Sequence, residues 1–121
     1  MKPDPEDMLP LSAIAFEVLM TLAEGECHGY HMMLAVEERT GTPVHPGTLY
    51  RTLARLEEQR VVEESSLRPP DQDERRRQFR LTTFGRRVAE AEARRLARLV
   101  DGARRRRLLP EGDRYQKGTV R

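Results

Sequence analysis

The stretch that decides the fold runs from Pro46 to Gly85 and reads PGTLYRTLARLEEQRVVEESSLRPPDQDERRRQFRLTTFG. Its first part repeats leucine at i, i+4 and i+7, in Leu49, Leu53 and Leu56. That spacing places the three side chains on one face of a helix, which we expect to run from Pro46 to about Gln59. Proline is well tolerated at the first position of a helix, because its missing N–H has no partner there.

After this helix the spacing of the apolar residues changes from a helical pattern to the alternating pattern of a strand. Val61 opens a strand predicted over residues 61–67, and the alternation in residues 77–82 predicts a second strand with Phe79 and Leu81 facing inward. Residues 68–74, RPPDQDE, form a turn that no strand could continue through. The result is a helix followed by a two-stranded hairpin.

Two helices are predicted before this stretch. The first spans Leu11 to Gly25 with Ser12 as its N-cap, and its expected inward residues are Ala13, Phe16, Leu19, Met20 and Ala23. The second spans Gly29 to Thr40, and its expected inward residues are Tyr30, Met33, Leu34 and Val36. Three helices and a hairpin in this order predict a mainly α fold with a small β-hairpin, a winged helix-turn-helix.

A further helix follows the hairpin from Thr83 to about residue 107. Its apolar residues step by four, three, four and three, as in a heptad seam: Ala89, Ala93, Leu96, Val100 and Ala103. We expect a dimerisation helix, with packing against its own domain as the alternative. The predicted organisation is an N-terminal arm (1–10), the winged helix-turn-helix (11–82), the dimerisation helix (83–107) and a flexible tail (108–121).

The charge is unevenly distributed along the chain, although the net charge is only +2. Residues 1–44 carry two basic and eight acidic residues, whereas residues 75–107 carry thirteen arginines and three acidic residues. Such asymmetry indicates a polyanionic partner. Coding bias explains the preference for arginine over lysine, but it does not explain the concentration of arginine in one segment.

Outward-facing side chains supply the expected DNA contacts. On the third helix these are Thr48, Arg51, Thr52 and Arg55, because arginine reads guanine edges and both residue types hold phosphates. In the second strand, Arg76 or Arg77 and Arg80 can lie toward a phosphate backbone, while the acidic turn is a poor candidate for insertion into a groove. The alternative is a winged helix that docks on another protein through the same surface.

Other classes of function lack the necessary residues. The sequence has no phosphate-binding glycine loop, no nucleophile with a base and no paired carboxylates in an apolar setting, so we expect no enzyme and no cofactor. Cys27, His28 and His31 suggest a metal site or thiol sensor, but no second cluster completes four zinc ligands, and we predict no metal. With no apolar run near the ~20 residues of a membrane span and no signal core, we expect a cytoplasmic protein without membrane contact.

Three segments together resemble the PadR family of bacterial transcription regulators: GYHMMLAVEERTG, VHPGTLYRTLARLEEQRVVEE and RRRQFRLTTFGRRVAE. The most specific combination is Pro46 to Tyr50 followed by Leu53 and Leu56, with Gly85 closing the wing. The resemblance implies a homodimer held by C-terminal helices that represses a promoter at a palindromic operator on double-stranded DNA. It also implies that a small-molecule effector, unknown here, relieves this repression.

The resemblance also implies site residues. It assigns groove and phosphate contacts to Thr48, Tyr50 and Arg51, and a further backbone contact to Tyr30. It matches Arg76, Arg77 and Arg80 to the basic strand of the family. His45 stands where a serine cap is common, so the third helix is either less firmly capped or capped in a way that responds to protonation near pH 6 to 7.

Overall fold

The computed structural model describes residues 3–65 and 77–110. Its elements are a 3-10 helix at Pro5–Met8, α1 (Ala13–Glu24), β1 (Cys27–His28), α2 (Gly29–Thr40), α3 (Pro46–Glu58), β2 (Val62–Glu64), β3 (Gln78–Leu81) and α4 (Thr83–Arg105). The predicted fold class, a mainly helical winged helix with a small sheet, is confirmed. The predicted turn at 68–74 and Arg76 lie outside the described residues.

The sheet contains one strand more than the predicted hairpin. Its order is β1-β3-β2, with both pairs antiparallel. Cys27 lies opposite Phe79 in one pair and Val62 opposite Leu81 in the other. The extra strand β1 immediately precedes α2, so the residues just before α2 are paired with β3.

The core forms between the helices and the inner face of this sheet. Leu49, Leu53 and Leu56 of α3 are all buried, as their spacing predicts. Phe79 is buried on β3 and Leu81 is partly buried against the same cluster. The outward face of α3 is therefore supported by a packed layer of apolar side chains.

The predicted inner face of α1 was largely wrong. Only Leu19 of the predicted residues is fully buried, and Ala13 and Ala23 are exposed. The buried apolar residues are instead Ala15, Val18, Leu19 and Leu22. The reason is tertiary packing: the polar residues Glu17 and Thr21 of α1 bond to Arg39 of α2, and Thr21 is buried, so the polar side of α1 is not its outer face.

The predicted inner face of α2 was also partly wrong. Met32 and Val36 are buried and Met33 is partly buried. Tyr30 and Leu34 are 42% and 45% exposed. These last two lie one turn apart and form an apolar strip on the outer surface of the helix-turn-helix.

Helix α4 packs mainly against the 3-10 helix, α1 and β3. At the centre of this contact Glu92 is 1% exposed. Its carboxylate accepts the main-chain N–H of Leu11 at 2.9 Å and pairs with Arg95. The hydrogen bond from Arg95, reinforced by that from Leu11, holds the pKa of Glu92 below its ordinary value. The residues before α1 are thus tied to α4.

The far half of α4 leaves apolar side chains uncovered in the single chain. Of the predicted seam, Ala89 packs against the core, while Leu96 and Ala103 are partly buried. Ala93 and Val100 are exposed, and the adjacent Leu99 is 58% exposed. None of the described helices is long and apolar enough to cross a membrane.

Candidate nucleic-acid interface

The outward face of α3 brings together four of the predicted contact residues. Arg51 and Arg55 are exposed one turn apart, and Thr48 and Thr52 lie beside them, partly buried. Arg51 lies within 3.4 Å of the Thr48 hydroxyl, and Thr52 donates its hydroxyl hydrogen to the carbonyl of Thr48 at 2.8 Å. Two guanidinium groups on a rigid helix can reach base edges or phosphates over about one turn of helix.

The first turn of α3 is capped by a histidine. Nδ1 of His45 accepts the main-chain N–H of Gly47 at 3.0 Å. This bond requires an unprotonated Nδ1, because a protonated imidazole has no acceptor nitrogen. His28 caps α2 in the same manner, accepting the N–H of His31 at 3.3 Å. Both helices of the helix-turn-helix therefore begin at an imidazole cap.

The opposite end of α3 is acidic. Glu57 and Glu58 of its last turn join Glu63 and Glu64 of β2 in lining an open groove of about 780 Å³. Carboxylates repel phosphates, so this end of α3 is a poor surface for DNA. The cationic residues of α3 are Arg51 in its middle and Arg55 at the start of its last turn.

Tyrosines 30 and 50, both assigned to DNA by the resemblance, have different surroundings. Tyr30 is exposed near the start of α2. Tyr50 is partly buried and packs against the core, and its hydroxyl oxygen is buried. Of these two tyrosines, only Tyr30 has an exposed ring.

The wing arginine nearest the core, Arg77, is held by its own chain. Its guanidinium pairs with Glu57 at 3.1 Å and with Glu64 at 2.9 Å. It also lies 4.9 Å from the centroid of the Phe79 ring. These contacts connect the wing to the last turn of α3, and sequence reasoning missed them because the three partners come from three separate elements.

Arg80 is more exposed but is also paired. Its Nε lies 2.8 Å from a carboxylate oxygen of Glu63, its neighbour across the strands, and Nη1 lies 3.8 Å from Glu26. An exposed pair of this kind is weak, so a phosphate can replace the carboxylate. The register of the strands, which places Glu63 opposite Arg80, could not be read from the sequence.

Cys27 is part of the sheet rather than of a reactive site. It lies half-buried on β1 opposite Phe79. Burial, together with the charge of Glu24, raises the pKa of its thiol to about 11. A thiol with this pKa stays protonated at neutral pH and is a weak nucleophile, which disfavours a thiol sensor. In the described ranges, His, Cys, Asp and Glu form no group of three that could hold a metal.

The comparison with protein families identifies the class. The family described as the transcriptional regulator PadR-like family matches residues 18–91, which include α2, α3, the wing strands and the first part of α4. This chain belongs to the PadR-like family. The description of this family is that of transcriptional regulators.

Several solved structures are similar to this chain in fold. RosR of H. salinarum is 30% identical with a TM-score of 0.64, over 84% of this chain and 88% of that one. A PadR family transcription regulator from hypervirulent Clostridium difficile R20291 is 21% identical with a TM-score of 0.66, over 78% of this chain and 97% of that one. At the lower identity the likeness concerns the fold alone.

One curated relative is closer in sequence but longer. An uncharacterized 37.1 kDa protein in transposon TN4556 of Streptomyces fradiae is 44% identical over 82 residues. The match covers 68% of this PadR-like chain and 22% of the relative. The chain therefore corresponds to a minor part of that protein.

Proposed function

We propose that this PadR-like protein is a homodimeric repressor that binds a palindromic operator through α3. The observation that carries the proposal is the outward face of α3, where Thr48, Arg51 and Arg55 stand on three buried leucines. A helix fixed in this way can hold arginine side chains at a set depth in the major groove. Residues 11–82 form the DNA-binding unit.

The proposed DNA contacts differ with the position of the residue in the fold. Arg51 in the middle of α3 and Arg55 one turn later read base edges or nearby phosphates, while the acidic groove lined by Glu57 stays away from the duplex. Arg80 of the wing meets a flanking phosphate by exchanging its partner Glu63. Tyr30, exposed at the start of α2, contacts the sugar-phosphate backbone.

Dimerisation is assigned to residues 83–107. Leu96, Leu99 and Val100 leave an apolar strip on a helix whose other apolar face already packs on its own chain. Pairing with the same strip of a second copy would remove this surface from water. Two-fold symmetry then places the two α3 helices on half-sites about 10 bp apart.

Relief of repression by a small effector completes the proposal. It rests on the family likeness, and a cavity of about 200 Å³ offers a place for such a molecule. The cavity lies between Leu11, Ala15 and the outer side of α3, where Thr52 and Arg55 line it. A molecule bound there would change the surroundings of Arg55.

The test begins with duplexes selected from a random library by the unmodified protein, followed by anisotropy titration. Arg51→Ala and Arg55→Ala should each cost about 1 to 3 kcal/mol of binding to the selected duplex if they read bases. Arg98→Ala, which removes an exposed arginine from the outer face of α4, is the matched control and should change little. Intact binding in both α3 variants would show that another surface meets DNA.

The same titrations separate DNA binding from docking on a protein. Phosphate contacts release counterions, so affinity for DNA should fall steeply as salt rises. If selection recovers no preferred sequence and the binding is insensitive to salt, the protein-docking alternative is favoured.

The dimer is tested by placing a charge in the apolar strip. Val100→Glu should give monomers in sedimentation velocity, since a buried valine contributes about 1.5 to 3 kcal/mol per copy and the new charge must be desolvated. Arg98→Glu introduces the same residue on the outer face and should remain dimeric. A dimeric Val100→Glu protein would place the interface elsewhere.

A further inference from the structure

Tyr50 lies at the junction of α2, α3 and the wing. Its ring packs against the core, and its hydroxyl oxygen is buried, although the neighbouring Arg51 on α3 is exposed. The ring lies over Gly29, the first residue of α2. Tyr50 therefore points from the recognition helix back into the domain.

The contact with Gly29 is too close for any side chain. A β-carbon on Gly29 would lie 2.7 Å from Cε1, 2.8 Å from the hydroxyl oxygen and 3.0 Å from Cζ of Tyr50. Carbon atoms in contact normally stand about 3.5 to 4.0 Å apart. The ring of Tyr50 thus rests on the backbone of α2, and its width sets the spacing between α2 and α3.

The same point is fixed to the wing. Gly29 directly follows β1, whose His28 and Cys27 lie opposite Gln78 and Phe79 of β3. A shift of Gly29 relative to β3 would break these strand hydrogen bonds. Through Gly29, the ring of Tyr50 fixes the distance of the recognition helix from α2 and from the wing together.

We propose that Tyr50 is a positioning residue for DNA recognition, acting through Gly29, and that it makes no phosphate contact through its hydroxyl. The inference rests on the proposed function of α3. The proposal gives the two parts of the side chain different roles. The ring holds α3 at a fixed position relative to the wing, and the hydroxyl is not needed for DNA binding.

Three variants test the proposal on the selected duplex and on an unrelated duplex of equal length. Tyr50→Phe keeps the ring and should stay within about twofold of the unmodified protein for both. Tyr50→Leu and Gly29→Ala should lose about tenfold to a hundredfold in affinity for the selected duplex, because one or two base contacts are misaligned. Their affinity for the unrelated duplex and the dependence of that affinity on salt should be unchanged, since no phosphate contact is removed.

A double variant tests the steric link and does not depend on DNA. Gly29→Ala should destabilise the protein in urea unfolding, whereas the same change in a Tyr50→Leu background should cost far less, because the space beside Gly29 is then vacant. Additive effects would overturn the contact argument. The unfolding experiment with the double variant needs no DNA binding, so it also tests the contact in variants that bind DNA poorly.

Two results with DNA would overturn the positioning role. One is a loss in Tyr50→Phe equal to that in Tyr50→Leu, with a salt dependence reduced by about one counterion, which would show a phosphate contact by the hydroxyl. The other is full specific affinity in Tyr50→Leu. Failure of the proposed function gives a different result, since the unmodified protein would then select no duplex, and that result overturns both inferences.

Discussion

Replacing Gly85 with alanine is the substitution whose cost can be worked out most directly from the structure. Gly85 lies in the first turn of α4, where a β-carbon would stand 1.9 Å from the carbonyl oxygen of Val61 and 2.9 Å from its carbonyl carbon. Both of these atoms belong to the backbone, so no side-chain rotation relieves the clash. Helix α4 must move away from the start of the wing by more than about 1 Å.

The movement breaks a small hydrogen-bonded junction. The Val61 carbonyl accepts the main-chain N–H of Thr82 at 3.1 Å, and the Thr82 hydroxyl donates its one hydrogen to the nearer carbonyl of Arg60 at 2.6 Å. Losing two such bonds costs about 1 kcal/mol each, and overpacking adds about 1 to 3 kcal/mol. The better helix propensity of alanine returns about 1 kcal/mol. The expected net loss is about 2 to 4 kcal/mol of unfolding free energy.

Urea unfolding followed by far-UV circular dichroism measures this loss. The matched control is Gly102→Ala in the same helix, where the nearest atom to a new β-carbon is the mobile guanidinium of Arg106 at 3.4 Å. That control should be neutral or more stable by up to about 1 kcal/mol. If Gly85→Ala loses less than about 1 kcal/mol, the close approach of α4 to the wing is not as described.

Two further predictions concern charged groups. Arg77→Ala should lower the unfolding free energy by about 1 kcal/mol, since it leaves Glu57 and Glu64 without this partner. The salt dependence of DNA binding should stay the same in this variant. If the slope of log affinity against log salt concentration is instead reduced by about one, Arg77 contacts a phosphate. Because the pKa of Glu92 is lowered in the folded protein, the stability it contributes is present above its ordinary pKa of 4.5 and is lost as the pH falls further. Glu92→Gln should remove that part of the acid dependence in urea unfolding, and an unchanged profile would contradict the assignment.

Much of the fold could be predicted from local pattern. The start of α3 at Pro46, its buried leucines and the bounds of α2 follow from helical spacing and end signals, which act within a few residues. The inner face of α1 could not be predicted, because its polar residues Glu17 and Thr21 are partly covered by Arg39 of α2, which lies far along the chain. Strand β1 has two residues and therefore no period.

In the candidate site, too, local features could be predicted from the sequence and long-range contacts could not. The sequence predicted the outward position of Arg51 and Arg55, because they oppose the buried leucines on one helix. It could not show that Tyr50 faces Gly29 or that Arg77 reaches Glu57, since those contacts join residues that are distant along the chain. Residue type indicates what a side chain can bind, while its partner depends on tertiary packing.

The tie between Glu92 and the N–H of Leu11 has a consequence for operator geometry. Helix α4 is fixed to the DNA-binding unit at Gly85 and again about two turns later at Glu92, so it cannot swivel about its first turn. In a dimer joined through α4, the separation of the two DNA-binding units would then depend only on how the two α4 helices pack against each other, because each unit is fixed to its own α4. The affinity of such a dimer for its operator would depend on the spacing of the two half-sites as strongly as on their base sequence.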